Sequence, residues 1–121
     1  KPPPKDWVKY SIKENPMLLM ESIYEDLRDN SLVLTAEEFS TDWCWRSKSW
    51  FAVQKTKQSD FSIPTAINCL NKIKVKIAFA HMKRKKYGGI IDNDIRALTT
   101  AKTSLEEFLL RQHKIAAVAE N

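Results

Sequence analysis

The sparse use of glycine constrains the fold of this chain more than any other feature of its sequence. Only two of the 121 residues are glycine, and they are adjacent, at positions 88 and 89. Tight β-hairpins need residues that adopt positive φ, and dipeptides such as Asn-Gly are absent from the sequence. Apolar residues instead recur every three or four positions. We therefore expect an all-α fold, a compact bundle of about five helices with a long C-terminal helix.

Proline and asparagine divide the N-terminal part of the chain. Residues 1–14 contain three prolines and are predicted to form an extended tail. Asn15 and Pro16 are typical of a helix N-cap and first helical residue, so the helical domain should begin there and extend over 15–86. Residues 90–121 are predicted to add a C-terminal helix to the same domain.

One segment carries the excess positive charge of the chain. The net charge is +5, and residues 61–91 contain seven basic side chains and no acidic one. We predict one long helix here, or two in succession, from Ser62 as N-cap to about Lys86, with Gly88 ending it. A localised positive field attracts polyanions, nucleic acid first. The alternative interpretation is a solvated basic helix face.

The C-terminal helix, with Asp92 or Asn93 as its N-cap, has an apolar stripe at heptad spacing. Its positions are Leu98, Ala101, Leu105, Phe108, Gln112 and Ile115. The stripe can pack against the long basic helix as an antiparallel hairpin, or it can join two copies of the chain into a homodimer through residues 91–118. The sequence favours neither alternative.

Two short helices are predicted just ahead of the basic segment. Thr35 and Glu38 form a capping box that should begin a helix over 36–43. Ser47 is the predicted N-cap of a second helix, over 47–57. Two short helices joined by a tight turn form a helix-turn-helix, whose second helix can enter the major groove of DNA.

Aromatic side chains crowd this motif. They are Phe39, Trp43, Trp45, Trp50 and Phe51. The tryptophans are expected in the core. We expect Phe51 to face outward, to DNA or to a partner, because the adjacent residues Trp50 and Phe51 should not both face inward.

The motif resembles the helix-turn-helix of the phage-repressor (Cro-like) family. Phe39 and Ser40 match the apolar and small residues in the middle of the family's first helix, and 46–49 matches its polar, cap-rich start to the recognition helix. The next apolar positions of the family fall on Trp43, Trp45, Trp50 and Val53. Cys44 stands where the family usually has glycine, so we expect a distorted or longer turn.

The resemblance implies a small transcriptional regulator, dimeric on DNA, that recognises the sequence of double-stranded DNA. Its base contacts would be Ser47, Lys48 and Ala52. Its phosphate contacts would be Arg46, Lys55, Lys57, Lys72, Lys76, Lys83 and Arg84. Glu37 and Glu38 count against DNA binding, since they would repel phosphate if they faced the duplex.

Two alternatives remain open. A helical adaptor or inhibitor would use the aromatic motif and the C-terminal helix to bind another protein, and Trp50 and Phe51 exposed together would favour it. Non-specific binding of RNA or single strands would need exposed aromatic side chains beside the basic segment.

The sequence gives no sign of enzymatic chemistry. Cys44 and Cys69 lack the spacing of a metal or redox motif and are expected to be buried free thiols. With no glycine-rich phosphate loop and no catalytic grouping, we expect no enzyme activity, cofactor, metal or small-molecule substrate. With no signal peptide or membrane-length apolar run, we expect a cytoplasmic protein without a membrane partner.

Overall fold

The computed structural model describes residues 17–112, and all the regular structure in that range is helical. The elements in chain order are α1 (Leu19–Asp29), α2 (Ala36–Glu38) continued by a π-helical turn (Phe39–Trp43), α3 (Trp50–Lys57), α4 (Ile63–Tyr87), a 3-10 turn (Gly88–Ile91) and α5 (Asp92–Gln112). The predicted all-α fold with a long C-terminal helix is confirmed. The predicted tail and the predicted cap at 15 and 16 lie outside the described residues.

Helix α1 begins at Leu19, later than the sequence predicted, because its first turn is capped from elsewhere. Leu18 is extended, with φ −69° and ψ 152°. Its backbone N–H donates to the Glu21 carboxylate at 2.9 Å. The N–H groups of Leu19 and Met20 donate to the two carboxylate oxygens of Asp60, at 2.6 and 2.9 Å. A side chain forty positions further along the chain therefore fixes where this helix starts.

Helix α4 is one uninterrupted helix of 25 residues, with the two ends that the sequence predicted. The Ser62 hydroxyl accepts a hydrogen bond from the Thr65 N–H at 3.3 Å. Gly88, with φ +71°, follows the last helical residue. Between residues 17 and 112, no helix combines the length and the apolar character that crossing a bilayer requires.

Helix α5 folds back on α4 and also contacts α1. Its apolar stripe is buried within the chain at Leu98, Ala101, Leu105 and Phe108. Of the two alternatives for this helix, the intramolecular hairpin is the observed one. Gln112, predicted as part of the stripe, is exposed, and Ile115 lies outside the described residues. A dimer through 91–118 would have to use side chains other than the buried four, and it stays a prediction.

Candidate nucleic-acid interface

Thr35 caps α2 as predicted, but the reciprocal hydrogen bond of the predicted capping box goes to Leu34, one residue before the cap. A buried serine joins this helix to α3. The Thr35 hydroxyl accepts from the Glu38 N–H at 3.1 Å, and the Glu38 carboxylate accepts from the Leu34 N–H at 2.9 Å. Ser40 is fully buried. Its hydroxyl donates to the Ala36 carbonyl at 2.9 Å and accepts from the Phe51 N–H at 3.0 Å. The small residue of the family pattern thus satisfies an N–H in the first turn of α3.

The turn between α2 and α3 is longer than a tight helix-turn-helix turn, as the sequence predicted. Cys44 keeps a negative φ of −106°, and the left-handed residue is its neighbour Trp45, with φ +60°. The Arg46 N–H donates to the Ser40 carbonyl at 2.8 Å and holds this turn closed. The Trp45 side chain is 75% exposed, so its predicted place in the core was wrong. The left-handed backbone reverses the chain and directs this side chain into solvent.

Helix α3 begins three residues after the predicted start at Ser47. The Ser47 carbonyl accepts from the Trp50 N–H at 3.0 Å, which closes a turn ahead of the helix. Ser49 takes the N-cap position, without a side-chain hydrogen bond to the helix. The predicted span 47–57 therefore divides into an exposed turn and a helix of eight residues, Trp50–Lys57.

Trp50 and Phe51 are both buried, each with 6% of its surface exposed. The expectation that Phe51 faces outward was wrong because the two rings enter different neighbourhoods. Phe51 packs on Tyr24 and Phe39, with ring centroids 4.9 and 5.8 Å away. Trp50 stacks on Phe61 at 6.0 Å. Aromatic packing on two sides thus anchors α3 from behind.

The side of α3 that faces away from these rings is open to solvent. Ala52 and Thr56, one helical turn apart, are exposed, and so are Ser47 and Lys48 in the preceding turn. The predicted base-contact residues Ser47, Lys48 and Ala52 are therefore all exposed, two in the turn and one on α3. Thr56 also belongs to this surface. Sequence reasoning missed it, although its spacing of four from Ala52 was available.

The cations of this surface are exposed, and within the described part of the chain one of them, Lys55, has an ion pair. Arg46, Lys48, Lys55 and Lys57 are exposed, and residues 46–59 contain no acid. The Lys55 ammonium lies 3.8 Å from the Glu21 carboxylate of α1. An ion pair with one partner so exposed is weak and screened by salt, so Lys55 is still available to a polyanion. We call the exposed turn and outer side of α3, residues 46–49, 52 and 55–57, the recognition surface.

The predicted phosphate contacts on α4 fall into two groups. The ammonium groups of Lys72 and Lys76 lie 5.9 and 5.8 Å from the centre of the Trp43 ring, within cation–π range, at the end of the π turn. The second group is Lys83 and Arg84, and Lys83 lies about 10 Å beyond Lys76 along the helix. Arg84 donates to Asp92 of α5. This contact holds the pKa of Asp92 below its ordinary value and raises that of Arg84.

The two cysteines join the turn to α4. Cys44 and Cys69 are free and buried, as predicted. A hydrogen bond with Cys69, together with burial, raises the pKa of the Cys44 thiol, so this thiol stays neutral. The Asn68 amide donates to the Cys44 carbonyl at 3.1 Å. Within residues 17–112, no group of three histidine, cysteine or acidic side chains could hold a metal ion.

These features define an all-helical protein with an exposed, basic turn and helix held by aromatic packing. Residues 20–119 match a family of unknown function (DUF6626), and the chain belongs to that family. The match includes the recognition surface, α4 and α5. No curated protein and no solved structure matches the chain.

Proposed function

We propose that this protein is a small transcriptional regulator that binds double-stranded DNA in a sequence-specific manner. The observation that carries the proposal is the recognition surface, which is exposed, basic and free of acids. In the proposed complex, α3 and the turn before it enter the major groove. The groove is wide enough to admit an α-helix, and its base edges distinguish all four base pairs.

The side chains of this surface suit the two kinds of contact that such a complex needs. Lys48 can donate to the acceptor atoms of guanine, and the methyl group of Ala52 can meet the methyl of thymine. The exposed hydroxyls of Ser47 and Thr56 can donate hydrogen bonds to base edges or accept hydrogen bonds from them. The phosphate contacts, which position a protein without selecting a sequence, would be Arg46, Lys55, Lys57, Lys72, Lys76, Lys83 and Arg84.

The aromatic anchor supports the proposal in a second way. Base recognition depends on a helix held at a fixed angle, and α3 has only eight residues. Such a short helix is unstable alone, so its orientation depends on tertiary packing. The packing of Phe51 and Trp50 on both sides, with the Ser40 hydrogen bond, supplies that rigidity.

The first test is selection of binding sites from a random pool of duplex DNA, using the full chain. We expect a recurring sequence to be enriched, with an affinity that falls steeply as salt rises because counterions are released on binding. Enrichment of no sequence, with equal affinity for all duplexes, would leave only non-specific binding and would contradict the proposal.

A second candidate function, binding of single-stranded nucleic acid, is favoured by Trp45. This side chain is exposed beside Arg46 and Lys48, and exposed aromatic rings next to cations stack on unpaired bases. A parallel selection from a random pool of single-stranded DNA separates the two functions, because only the second candidate function predicts tighter binding to the single strands. The feature that would favour a protein adaptor, Trp50 and Phe51 exposed together, is not present, since both are buried.

A further inference from the structure

A pocket of about 570 Å³ lies between the C-terminal half of α4 and the start of α5. Its base is apolar. Ala80 and Leu98 are buried there, and Leu32 and Ile91 are half-buried. The volume falls within the range of small-molecule sites, about 300–1,000 Å³. The pocket is separate from the recognition surface, because no residue of that surface lines it.

The mouth of this pocket combines exposed apolar side chains with a positive rim. Phe79 and Tyr87 line it, and each is 53% exposed. Three lysines, Lys76, Lys83 and Lys86, also line it, and among residues 17–112 Asp94 is the one carboxylate in the lining. Exposed aromatic side chains at a concave site are typical of ligand binding rather than of a solvated helix face.

We propose that this pocket binds an amphipathic anion, a carboxylate with an unbranched alkyl tail, as a single molecule. The apolar base would cover the tail, and Lys83 and Lys86 would face the carboxylate. Each half of the site excludes another class of ligand. A free phosphate leaves the apolar base uncovered, and an uncharged alkyl chain leaves the lysines without a partner. The proposal does not depend on DNA binding.

The shape of the site favours a monomeric ligand over a membrane surface. Ala80 and Leu98 lie at the base of a concavity, 6% and 1% exposed. The half-buried Leu32 and Ile91 line the same concavity and leave apolar surface that a single alkyl chain can cover, whereas a flat bilayer cannot enter it. Burial of the alkyl tail also supplies most of the affinity, because each methylene that leaves water makes binding more favourable.

Calorimetric titration of the full chain with dodecanoate, kept below its critical micelle concentration, tests the proposal. We expect saturable binding of one molecule. In an NMR titration with the same ligand, the chemical shifts of the backbone amides of Ala80, Ile91 and Leu98 should change. Dodecyltrimethylammonium, which has the same tail and the opposite charge, should not bind. Binding of anionic vesicles without binding of dodecanoate would overturn the proposal in favour of a membrane surface.

Two double variants separate the pocket lysines from the general charge of α4. Lys83→Gln with Lys86→Gln should weaken dodecanoate binding about tenfold, which corresponds to about 1.4 kcal/mol. Lys74→Gln with Lys85→Gln removes the same charge from the same helix outside the pocket, and it should leave the affinity within about twofold. All four lysines are exposed or rim residues, so both variants should fold. Equal weakening by both, or no saturable binding to the parent, would overturn the site.

Discussion

The recognition surface and the α4–α5 pocket use the same kinds of residue in opposite ways. Around α3 the aromatic rings of Trp50 and Phe51 are buried, and the basic side chains of the recognition surface are exposed to solvent. At the far end of α4, Phe79 and Tyr87 are about half exposed among the lysines. The first arrangement fixes a rigid polar surface, which suits contacts with a nucleic acid. The second leaves apolar area open, which suits an occupant with its own apolar part.

Loss of an anchoring ring should have the largest effect on stability. Phe51→Ala removes a ring that packs on Tyr24 and Phe39, and we expect unfolding to become easier by about 3–5 kcal/mol. Phe79→Ala, at the open pocket mouth, should cost less than about 1 kcal/mol. Urea denaturation of both variants gives the comparison. Similar losses at both positions would contradict the difference between the two regions.

Loss of the buried acceptor at Ser40 should have the next largest effect. Ser40→Ala leaves the buried Phe51 N–H without its partner, and we expect a destabilisation of about 1–3 kcal/mol. Thr41→Ala is the matched control, because the half-buried Thr41 also donates to the carbonyl four residues earlier, that of Glu37, but in an exposed hydrogen bond. The control should change the free energy of unfolding by about 0.5 kcal/mol or less. Equal effects of the two variants would show that the link from α2 to α3 contributes nothing.

The thiol of Cys44 should make stability depend on alkaline pH. Its pKa lies above the ordinary 9.0 in the folded protein, so the unfolded chain loses the proton first as pH rises. Stability from this group is complete below pH 9.0 and declines above it, by about 1.4 kcal/mol for each further pH unit. Denaturation midpoints of the parent and of Cys44→Ala between pH 7 and 10 check this, and the decline should be shallower in the variant. Parallel curves would contradict a neutral buried thiol.

The smallest predicted change is a gain in stability at Trp45. Trp45→Gly should stabilise the fold by about 1 kcal/mol, because glycine adopts φ +60° without strain. Trp45→Ala removes the same ring but keeps the Cβ atom, and it should give no such gain. Thermal unfolding distinguishes the two variants. A gain of equal size in both would mean that the exposed ring, and not the backbone, determines the effect.

Features that depend on neighbouring residues could be predicted from the sequence. The helical class, the Ser62 cap and the Gly88 end of α4 all follow from local preferences, and the structure has each of them. The exposure of 46–48 could also be predicted from their polarity. By contrast, the carboxylate that caps α1 belongs to Asp60, about forty positions further along the chain. A local sequence pattern could not predict this contact.

The errors around α3 have the same origin. A helical pattern places Trp50 and Phe51 about 100° apart, and whether both are buried depends on how many neighbours surround the helix. Here α1 and α2 cover one side and Phe61 the other. The outward direction of Trp45 follows from a left-handed backbone that its residue type disfavours, so no local signal predicted it.

The most direct test of the central claim compares two lysine variants on DNA. Fluorescence anisotropy would measure the affinity of the parent, Lys48→Ala and Lys74→Ala for a selected duplex and for a shuffled one. Lys48→Ala should weaken binding to the selected duplex by about 1–3 kcal/mol and reduce its preference over the shuffled one. Lys74→Ala should leave that preference unchanged. The same preference in all three proteins would contradict base recognition by this surface.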